Sequence, residues 1–361
     1  MQRIHLIGIV ALAAVMLLAA GMASPAAALT NDEIANLSGA DRQKVLEAGA
    51  RAEGKLMFYT TLIVRQAVRP LEAAFKKKYP FITLEYIRMG SSKVVQRLLA
   101  EHRAGRTQAD VVVASAAPVL KQVKIAQVFN SPELAPYPKE TLDPDRMWAP
   151  IRFSYNGIGY NTRMLSAADA PKTWEDLLDP KWKNKLVWAE STETGAPLFI
   201  AILRKVWGEK KAMDYLGKLA KQNVRTGTGS IRSVLDQVIA GEYPVMISAA
   251  LHHVAISAAQ GAPVASTSPS PVLGRNGYAM MMKGAPHPHA AMLFIDFLVS
   301  RDGQAILREA RYLPAHPDVD PLPEMQAVLP RATGAKTYIM SPEEHNAVRK
   351  EAQALYRKMF P

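Results

Sequence analysis

The sequence predicts an α/β protein of two lobes, and three observations support this fold class. The chain has 361 residues, of which 49% are apolar, and this is enough to bury a large core. Before residue 115, short β-branched runs alternate with amphipathic helical patterns, as in an open sheet of parallel strands. A long stretch at 151–161, rich in aromatic and β-branched residues, precedes a second alternation of the same kind. We therefore expect a second lobe after that stretch.

The first lobe is predicted to have the order β-α-β-α-β. Strands are expected at 55–59, 82–87 and 110–113, and the last of these is apolar enough to be a buried parallel strand. One helix begins at Pro70, which fits a first helical turn, and another begins after Gly90. In open sheets of this kind, ligands lie beyond the carboxyl ends of the strands. The candidate ligand-binding residues of this lobe are Thr60, Thr61, Ser91, Ser92 and Ser115.

The second lobe is predicted from a similar series of elements. The expected strands are 186–189, 245–249 and a return strand at 277–282. The expected helices include 197–206, 210–221, one that ends near Gly241, and a carboxyl-terminal helix at about 342–359. The predicted domain organisation is a signal peptide at 1–28, a first lobe at 29–150 plus about 270–320, and a second lobe at 151–269 plus about 321–361.

Two helix openings in the second lobe have the composition of anion sites. One contains Ser191, Thr192, Thr194 and Gly195, and the other contains Thr228, Gly229, Ser230 and Arg232. Free backbone N–H groups and the helix dipole favour negative charge at a helix start, and an arginine fork suits carboxylate or phosphate. Either loop alone could be an ordinary N-cap. Two such loops opposite the strand ends of the other lobe favour an anion-binding cleft.

Tyr155 and His252 complete the set of candidate ligand-binding residues. Tyr155 lies beside the crossover strand, where it could reach a ligand or pack against the hinge. His252 and His253 suggest a metal site, but adjacent residues of a helix point apart. We therefore expect no metal site and no cofactor. We also expect no catalytic residues and no enzyme, because H-E-x-x-H and G-x-S-x-G motifs are absent and the chain has no Cys.

The amino terminus has the layout of a secretory signal peptide. Arg3 precedes an apolar run at 4–20, and small residues lead to an Ala-x-Ala cleavage site that ends at Ala28. A membrane anchor is the competing interpretation, since the run has the minimum length of a spanning helix. Because no Cys is present for lipid attachment, we expect an unanchored protein in the periplasm after cleavage.

The charge of the chain favours anionic solutes over nucleic acid. Cleavage would remove one charge, that of Arg3, so the formal net charge of +12 would become +11 (12 − 1). A basic balance can steer anionic ligands to a protein, although it also serves solubility. No run of five basic residues occurs, and export would separate the protein from nucleic acid. We expect no nucleic-acid partner.

Two segments resemble bacterial periplasmic solute-binding proteins of family 1, of the ferric-ion-binding type. The first is the strand G-I-G-Y-N at 157–161 followed by T-W-E-D-L-L-D-P-K-W-K-N-K-L at 173–186. The second is G-Y-A at 277–279 followed by K-G-A-P-H-P at 283–288, F-I-D-F-L at 294–298 and G-Q at 303–304. The resemblance covers roughly residues 40 to 315.

The resemblance implies a periplasmic binding protein type II fold, with the ligand cleft between two lobes joined by a hinge. It also implies an inner-membrane ABC permease as partner. We interpret the chain as the monomeric periplasmic component of an ABC importer for a small anionic solute, either a phosphorylated or phosphonate compound or an organic acid. A metal-ion binder of the same fold using His252 or His253, and a ligand-sensing partner of a receptor, remain alternatives.

Comparison with the ferric relatives argues against iron as the solute. By the resemblance, their iron ligands are a His, a Glu and two adjacent Tyr, and the segment matching Thr194 to Ala196 binds an accompanying anion. The four ligand positions correspond here to Ile63, Ser115, Leu251 and His252. Fe³⁺ needs anionic oxygen donors, which these residues do not supply.

Overall fold

One mixed β-sheet runs through the computed structural model, which describes residues 29–115, 117–191, 195–326, 329 and 334–360. The strands are Lys55–Thr60 (β1), Thr83–Arg88 (β2), Val111–Ala114 (β3), Ala149–Asn161 (β4), Leu186–Ala189 (β5), Arg225–Gly227 (β6), Val245–Ala250 (β7), Val264–Thr267 (β8), Val272–Met281 (β9), Leu313–Pro314 (β10) and Thr337–Ile339 (β11). The expected signal peptide at 1–28 lies outside the described residues.

Helices cover the sheet. The α-helices are Asn31–Ala35 (α1), Arg42–Glu53 (α2), Arg69–Lys78 (α3), Ser91–Arg103 (α4), Ala117–Gln122 (α5), Ala196–Trp207 (α6), Glu209–Ala220 (α7), Ile231–Ala240 (α8), Leu251–Ala258 (α9), Pro288–Val299 (α10), Arg301–Glu309 (α11), Pro323–Gln326 (α12) and Pro342–Met359 (α13). Short π or 3-10 turns occupy Val64–Val68, Pro132–Leu134, Lys139–Thr141, Glu175–Leu178 and Pro180–Trp182. None of the described helices has the length and apolarity needed to cross a membrane.

The strand order is β2-β1-β3-β9-β4-β7-β5-β6. β1 is parallel to β2 and β3, and these strands form a β-α-β-α-β unit. β5 is parallel to β6 and β7, and they form a second unit in which two helices, α6 and α7, separate β5 from β6. The two long strands between these units, β4 and β9, are antiparallel to each other. The α/β class and the order of the first unit are confirmed.

The carboxyl ends of the parallel strands face the middle of the molecule from both units. Their two faces are covered by helices, as parallel strands require. In the first unit, Phe294 of α10 packs against Phe58 of β1 with ring centroids 4.9 Å apart. In the second unit, Trp188 of β5 packs against Phe360, which directly follows α13, at 4.5 Å. The carboxyl-terminal helix therefore belongs to the core of the second unit.

The glycines of β4 permit close contact with other strands. A Cβ at Gly157 would lie 2.3 Å from the Thr267 carbonyl oxygen, and one at Gly159 would lie 2.9 Å from the Ala249 Cβ. Gly157 therefore accommodates the backbone of β8, as glycine inside a strand often does.

The strand predictions were incomplete, since the start of β9 was placed too late and β6, β8, β10 and β11 were not predicted. The return strand was expected from residue 277, but β9 begins at Val272. β6 and β8 were missed because R-T-G and V-A-S-T are short and lack the alternation of a half-buried strand. The first half of β9, which the prediction left out, is important for the site because it contains Arg275.

Candidate functional site

A cavity of about 560 Å³ lies where the carboxyl ends of the two parallel units meet. Its size is typical of a small-molecule site, which spans roughly 300–1,000 Å³. Backbone and side chains from the starts of α4 and α8, the end of β2, the loop after β5 and the helix α13 form its walls. The lining residues are Arg88, Met89, Gly90, Ser91, Ser92, Lys93, Gln96, Glu190, Ser191, Gly229, Ser230, Ser233, Gln353, Tyr356 and Arg357.

Five of the predicted site residues line this cavity: Ser91, Ser92, Ser191, Gly229 and Ser230. The Ser92 and Ser191 hydroxyl oxygens are 3.1 Å apart, which joins the two units directly. A Cβ at Gly90 would lie 3.0 Å from the Ser230 Cβ, so this position needs a glycine-sized residue for the two helix starts to meet. The two units are thus in contact across the cavity mouth.

The helix openings are partly committed to their own caps. The Ser230 hydroxyl accepts a hydrogen bond from the Ser233 N–H at 3.2 Å, and the Ser233 hydroxyl accepts from the Ser230 N–H at 2.8 Å. Gly195, which does not line the cavity, donates its N–H to the Ser191 carbonyl at 2.6 Å. The reciprocal bonds of Ser230 and Ser233 form a capping box, whereas Gly195 at the start of α6 has no side-chain cap. Thr192 and Thr194 lie outside the described residues.

The remaining predicted residues do not line the cavity. The Thr60 hydroxyl accepts from the Leu62 N–H at 3.1 Å, and the Thr61 hydroxyl bonds the Val113 carbonyl at 3.4 Å. Thr228 is exposed. Tyr155 lies on β4 against Gly274, where a Cβ would be 3.3 Å from its ring.

Arg232 has partners of its own. Its guanidinium forms an ion pair with Asp236 at 2.7 Å, and its Nη1 donates to the Ser257 hydroxyl at 2.7 Å. The positive charge of Arg232 acts on Arg88, His252 and His253, so Arg232 lies near these residues although it does not line the cavity.

A second group of basic side chains comes from three strands and one helix, and we call it the arginine cluster: Arg88 at the end of β2, Arg152 on β4 and Arg275 on β9, with His252 and His253 at the start of α9. Arg152 is 4% exposed and Arg275 is 8% exposed, while Arg88 is half-buried and also lines the cavity. Within the described residues, none of these three guanidinium groups forms an ion pair. Buried charges are normally paired, so this cluster is an exception that requires explanation.

The strand register explains how the two buried arginines meet. Arg152 is opposite Gly277, and Arg275 is opposite Ser154, so their side chains are diagonal neighbours on one face of the sheet. The Cβ that Gly277 lacks would lie 2.9 Å from Nε of Arg152. Glycine at this position therefore lets the Arg152 side chain lie flat across β9.

The Arg152 guanidinium lies over an aromatic ring, but two of its nitrogens lack a hydrogen-bond partner among the described residues. Its guanidinium carbon lies 5.0 Å from the centroid of the buried Tyr312 ring, whose hydroxyl accepts from the Ile63 N–H at 3.0 Å. In the described part of the chain, neither Nε nor Nη1 of Arg152 has a hydrogen-bond partner. Two buried N–H donors on a cation are thus available for an acceptor.

Arg275 is held by neutral groups from both units. Its Nε donates to the Ser115 hydroxyl at 3.3 Å, and its Nη1 donates to the Asn156 side-chain oxygen at 3.2 Å. The Asn156 amide in turn donates to the Ser248 carbonyl at 3.0 Å. Ser115 therefore acts on the cluster through Arg275, although it does not line the cavity.

The two histidines are adjacent and buried, with ring centroids 4.2 Å apart. His252 Nδ1 is 3.3 Å from the Ser154 hydroxyl, and among described residues His252 Nε2 and His253 Nδ1 have no partner. The sequence-based expectation that the rings point apart is wrong, because the two rings make a T-shaped contact at the start of α9.

Positive charges surround the two histidines of the cluster, and Asp236, which pairs with Arg232, is an acidic residue that acts on Arg88. Burial lowers the pKa of Arg275 to about 9, and the charge of Arg152 contributes to this shift. Burial lowers the pKa of both His252 and His253 well below the usual range, and the charges of Arg152, Arg232 and Arg275 lower it further. At neutral pH the arginines are therefore charged and the histidines neutral. An anion is the species that such a site can stabilise.

A family profile described as bacterial extracellular solute-binding protein matches residues 107–333, which is more than half of the chain. The chain belongs to this family. Proteins of the family bind small-molecule solutes and deliver them to ABC permeases, so this solute-binding protein is a transport component and not an enzyme.

Individual relatives differ in the solutes for which they are named. A periplasmic protein of Salmonella typhi, provisionally named for binding 2-aminoethylphosphonate, is 26% identical over 255 residues, covering 67% of this chain and 72% of the relative. The major ferric iron-binding protein of Neisseria meningitidis serogroup A is 24% identical over 258 residues, covering 64% and 75%.

A solved structure supports the fold. The periplasmic binding protein AfuA of Actinobacillus pleuropneumoniae, with bound fructose-6-phosphate, superposes with a TM-score of 0.74 at 24% identity. The match covers 85% of this solute-binding protein and 99% of AfuA. The predicted two-lobe periplasmic binding protein fold is confirmed.

Sequence reasoning missed Arg88, Arg152 and Arg275. A signal was present, since Arg152 interrupts an apolar strand and Arg275 lies between two glycines in G-R-N-G at 274–277. A charged residue inside an apolar strand that is flanked by glycine indicates a buried charge with close backbone contacts.

Proposed function

We propose that this protein captures a small anionic solute by closure of its two lobes and presents it to an ABC permease. The solute is a phosphorylated or phosphonate compound, or an organic acid. The observation that carries this proposal is the buried, ion-pair-free arginine cluster, in which Arg152 retains two N–H donors without a partner among the described residues. A bound anion would supply the negative counter-charge for the arginines and the hydrogen-bond acceptors for the two unpartnered donors of Arg152.

The buried positive charge of Arg152 and Arg275 requires compensation. A buried cation without a counter-charge is costly, and a second cation beside it adds repulsion. Each charge-assisted hydrogen bond to a bound anion contributes roughly 1.5–3 kcal/mol. Because micromolar affinity corresponds to about 8 kcal/mol, several such bonds are needed once the cost of association is included. The cluster and the helix starts together offer that number of donors.

The position of the cluster also supports closure. Its two buried arginines lie on β4 and β9, the two strands that connect the units, while the Ser92 and Ser191 hydroxyl oxygens are 3.1 Å apart at the cavity. We propose that the lobes comprise 29–150 with about 270–320 and 151–269 with about 321–361. A ligand bound between them would cross-link both, as in hinge closure.

The choice of solute class draws on the relatives. One is provisionally named for 2-aminoethylphosphonate, and AfuA contains fructose-6-phosphate, so both involve compounds that carry a phosphorus oxyanion. Iron is disfavoured because Ile63, Ser115, Leu251 and His252 stand at the expected ligand positions. Ser115 is bonded to Arg275, and the positive field of the cluster would repel a cation.

A thermal-unfolding screen tests the proposal, with fructose 6-phosphate and fructose as a pair that differs only in the phosphate. We expect organophosphates, phosphonates or organic acids to stabilise the protein, by about 2.7 kcal/mol at a ligand concentration a hundred times Kd. Fructose should not. If fructose or Fe³⁺ stabilises the protein and no anion does, or if iron produces a visible tyrosinate absorption band, the anion proposal is wrong.

We also propose that the protein is exported, cleaved after Ala28 and released as a periplasmic monomer. Its relatives include periplasmic binding proteins, which supports this location. Intact-mass measurement on protein released by osmotic shock should give the mass of a chain beginning at Leu29. A retained 1–28 segment in the membrane fraction would contradict it.

A further inference from the structure

The carboxyl-terminal helix α13 forms one wall of the ligand cavity. Gln353, Tyr356 and Arg357 line it, together with residues from the two helix starts on the other side. Gln353 is half-buried and Arg357 is exposed at the mouth. The helix lies beyond residue 333, where the match to the family profile ends.

This wall is anchored firmly to the second unit. Tyr356 and Phe360 pack against Trp188, with ring centroids 5.9 and 4.5 Å away. Glu351 forms an ion pair with Arg204 of α6 at 2.7 Å. The Tyr356 and Thr226 hydroxyl oxygens are 2.7 Å apart, which ties α13 to β6 just before the loop of Gly229 and Ser230.

The charged side chains that line the cavity come from different elements. Arg88 belongs to the arginine cluster, whereas Lys93 and Arg357 lie on α4 and α13. Three lining residues are basic and one, Glu190, is acidic. Within the described residues, Arg357 has no ion pair, although Glu351 and Glu344 of the same helix pair with α6. The residues one turn before Arg357 on α13 are Gln353 and Ala354, so its own helix offers it no acidic partner there.

The cavity is larger than a simple anion requires. A volume of about 560 Å³ corresponds to many water molecules at roughly 30 Å³ each, whereas an inorganic phosphate ion has only five non-hydrogen atoms. Of the three arginines of the cluster, Arg88 lines this cavity, whereas Arg152 and Arg275 do not. A solute whose anionic group is held at Arg88 would therefore leave most of the cavity to the remainder of its structure. That remainder would face α13.

We propose that α13 is a specificity element, in which Gln353 and Arg357 recognise a second polar or anionic group at the end of the solute opposite the arginine cluster. The inference rests on the proposed anion-binding function and assigns the solute to bifunctional anions, such as a phosphate or phosphonate with a carboxylate or hydroxyl tail. Gln353 offers both a donor and an acceptor, and Arg357 offers a fork for a carboxylate.

Three probes and three variants test this assignment by titration calorimetry on the mature protein. The probes are inorganic phosphate, glycerol 3-phosphate and 3-phosphoglycerate, of which the last carries a carboxylate where the second carries a hydroxyl. The variants are Arg357→Gln, Gln353→Ala and Lys358→Gln. The last is a matched control, because Lys358 is the exposed neighbour on α13 but does not line the cavity.

We expect wild-type protein to bind 3-phosphoglycerate at least about tenfold more tightly than phosphate. Arg357→Gln should remove most of that difference and leave phosphate binding within about twofold, and Gln353→Ala should weaken both tailed probes. Lys358→Gln should change none of the three.

The outcomes separate the two proposals. If Arg357→Gln and Gln353→Ala both bind the three probes as tightly as the wild-type protein does, the role of α13 alone is overturned. The same holds if the two variants weaken the binding of all three probes equally. If wild-type protein binds none of the probes, nor any anion of the thermal screen, the anion function itself is overturned and the specificity assignment with it.

Discussion

Replacement of Arg152 by methionine is expected to lower the affinity for the anionic solute by at least about a hundredfold without loss of stability. Methionine retains the apolar stem of the side chain and removes the guanidinium. Two charge-assisted hydrogen bonds, roughly 1.5–3 kcal/mol each, would be lost from the complex, and each 1.4 kcal/mol is about a tenfold change in Kd. The measurement is titration calorimetry with the best anion from the thermal screen.

The stability of the ligand-free protein is a second measurement that tests this prediction. Arg152 is buried beside Arg275 without an ion pair among described residues, so its removal relieves repulsion and the cost of a buried charge. Chemical denaturation should show unchanged or increased stability for Arg152→Met. Arg301→Met, on the exposed surface of α11, is the control and should change neither quantity. Retained affinity combined with a large loss of stability would mean that Arg152 is a structural cation.

The second prediction is that the ligand-free protein loses stability as the pH falls below about 6.5. Burial lowers the pKa of His252 and His253 well below their usual value in the folded state, and the histidines of the unfolded chain titrate near 6.5. Below that pH the unfolded chain therefore binds protons that the folded protein does not. The stability that the neutral pair contributes above pH 6.5 is thus lost on acidification.

The magnitude follows from the same linkage. Each histidine that stays neutral in the folded state contributes a loss of up to about 1.4 kcal/mol per pH unit, so the pair should lose roughly 2–3 kcal/mol between pH 6.5 and 5.5. The charged and titratable groups that face the pair are Arg88, Arg152, Arg232, Arg275 and Tyr312. All four arginines oppose protonation, and Tyr312 is neutral in this range because burial raises its pKa.

Denaturation curves between pH 7.5 and 5.5 measure this effect. The double variant His252→Gln with His253→Gln should flatten the dependence, and His102→Gln, at an exposed position of α4, should leave it unchanged. A bound anion beside the pair should raise the pKa of both histidines, so affinity should increase as the pH falls. Equal stability at both ends of the range would show that these histidines are not held neutral.

The cavity lining could be predicted in part because it follows from a general rule of α/β sheets. Ser91, Ser92, Ser191 and Ser230 all follow the carboxyl ends of parallel strands, where ligands of such sheets bind, and these ends of both units border the cavity. Their residue types and helix-start positions are visible in the sequence. Arg232 was assigned to the site on the same reasoning, but its i,i+4 neighbour Asp236 pairs with it at 2.7 Å.

The sequence by itself determined the α/β class and the carboxyl-terminal helix, because these depend on local patterns of apolar and capping residues, and the signal peptide at 1–28 stays a prediction. Only the tertiary structure placed Arg152 against Arg275 and turned Gln353 and Arg357 towards the cavity. These residues are far apart in the chain, and their proximity depends on the register of β4 with β9 and on the packing of α13 against Trp188. Strand register and helix docking are long-range contacts, which a local sequence pattern does not encode.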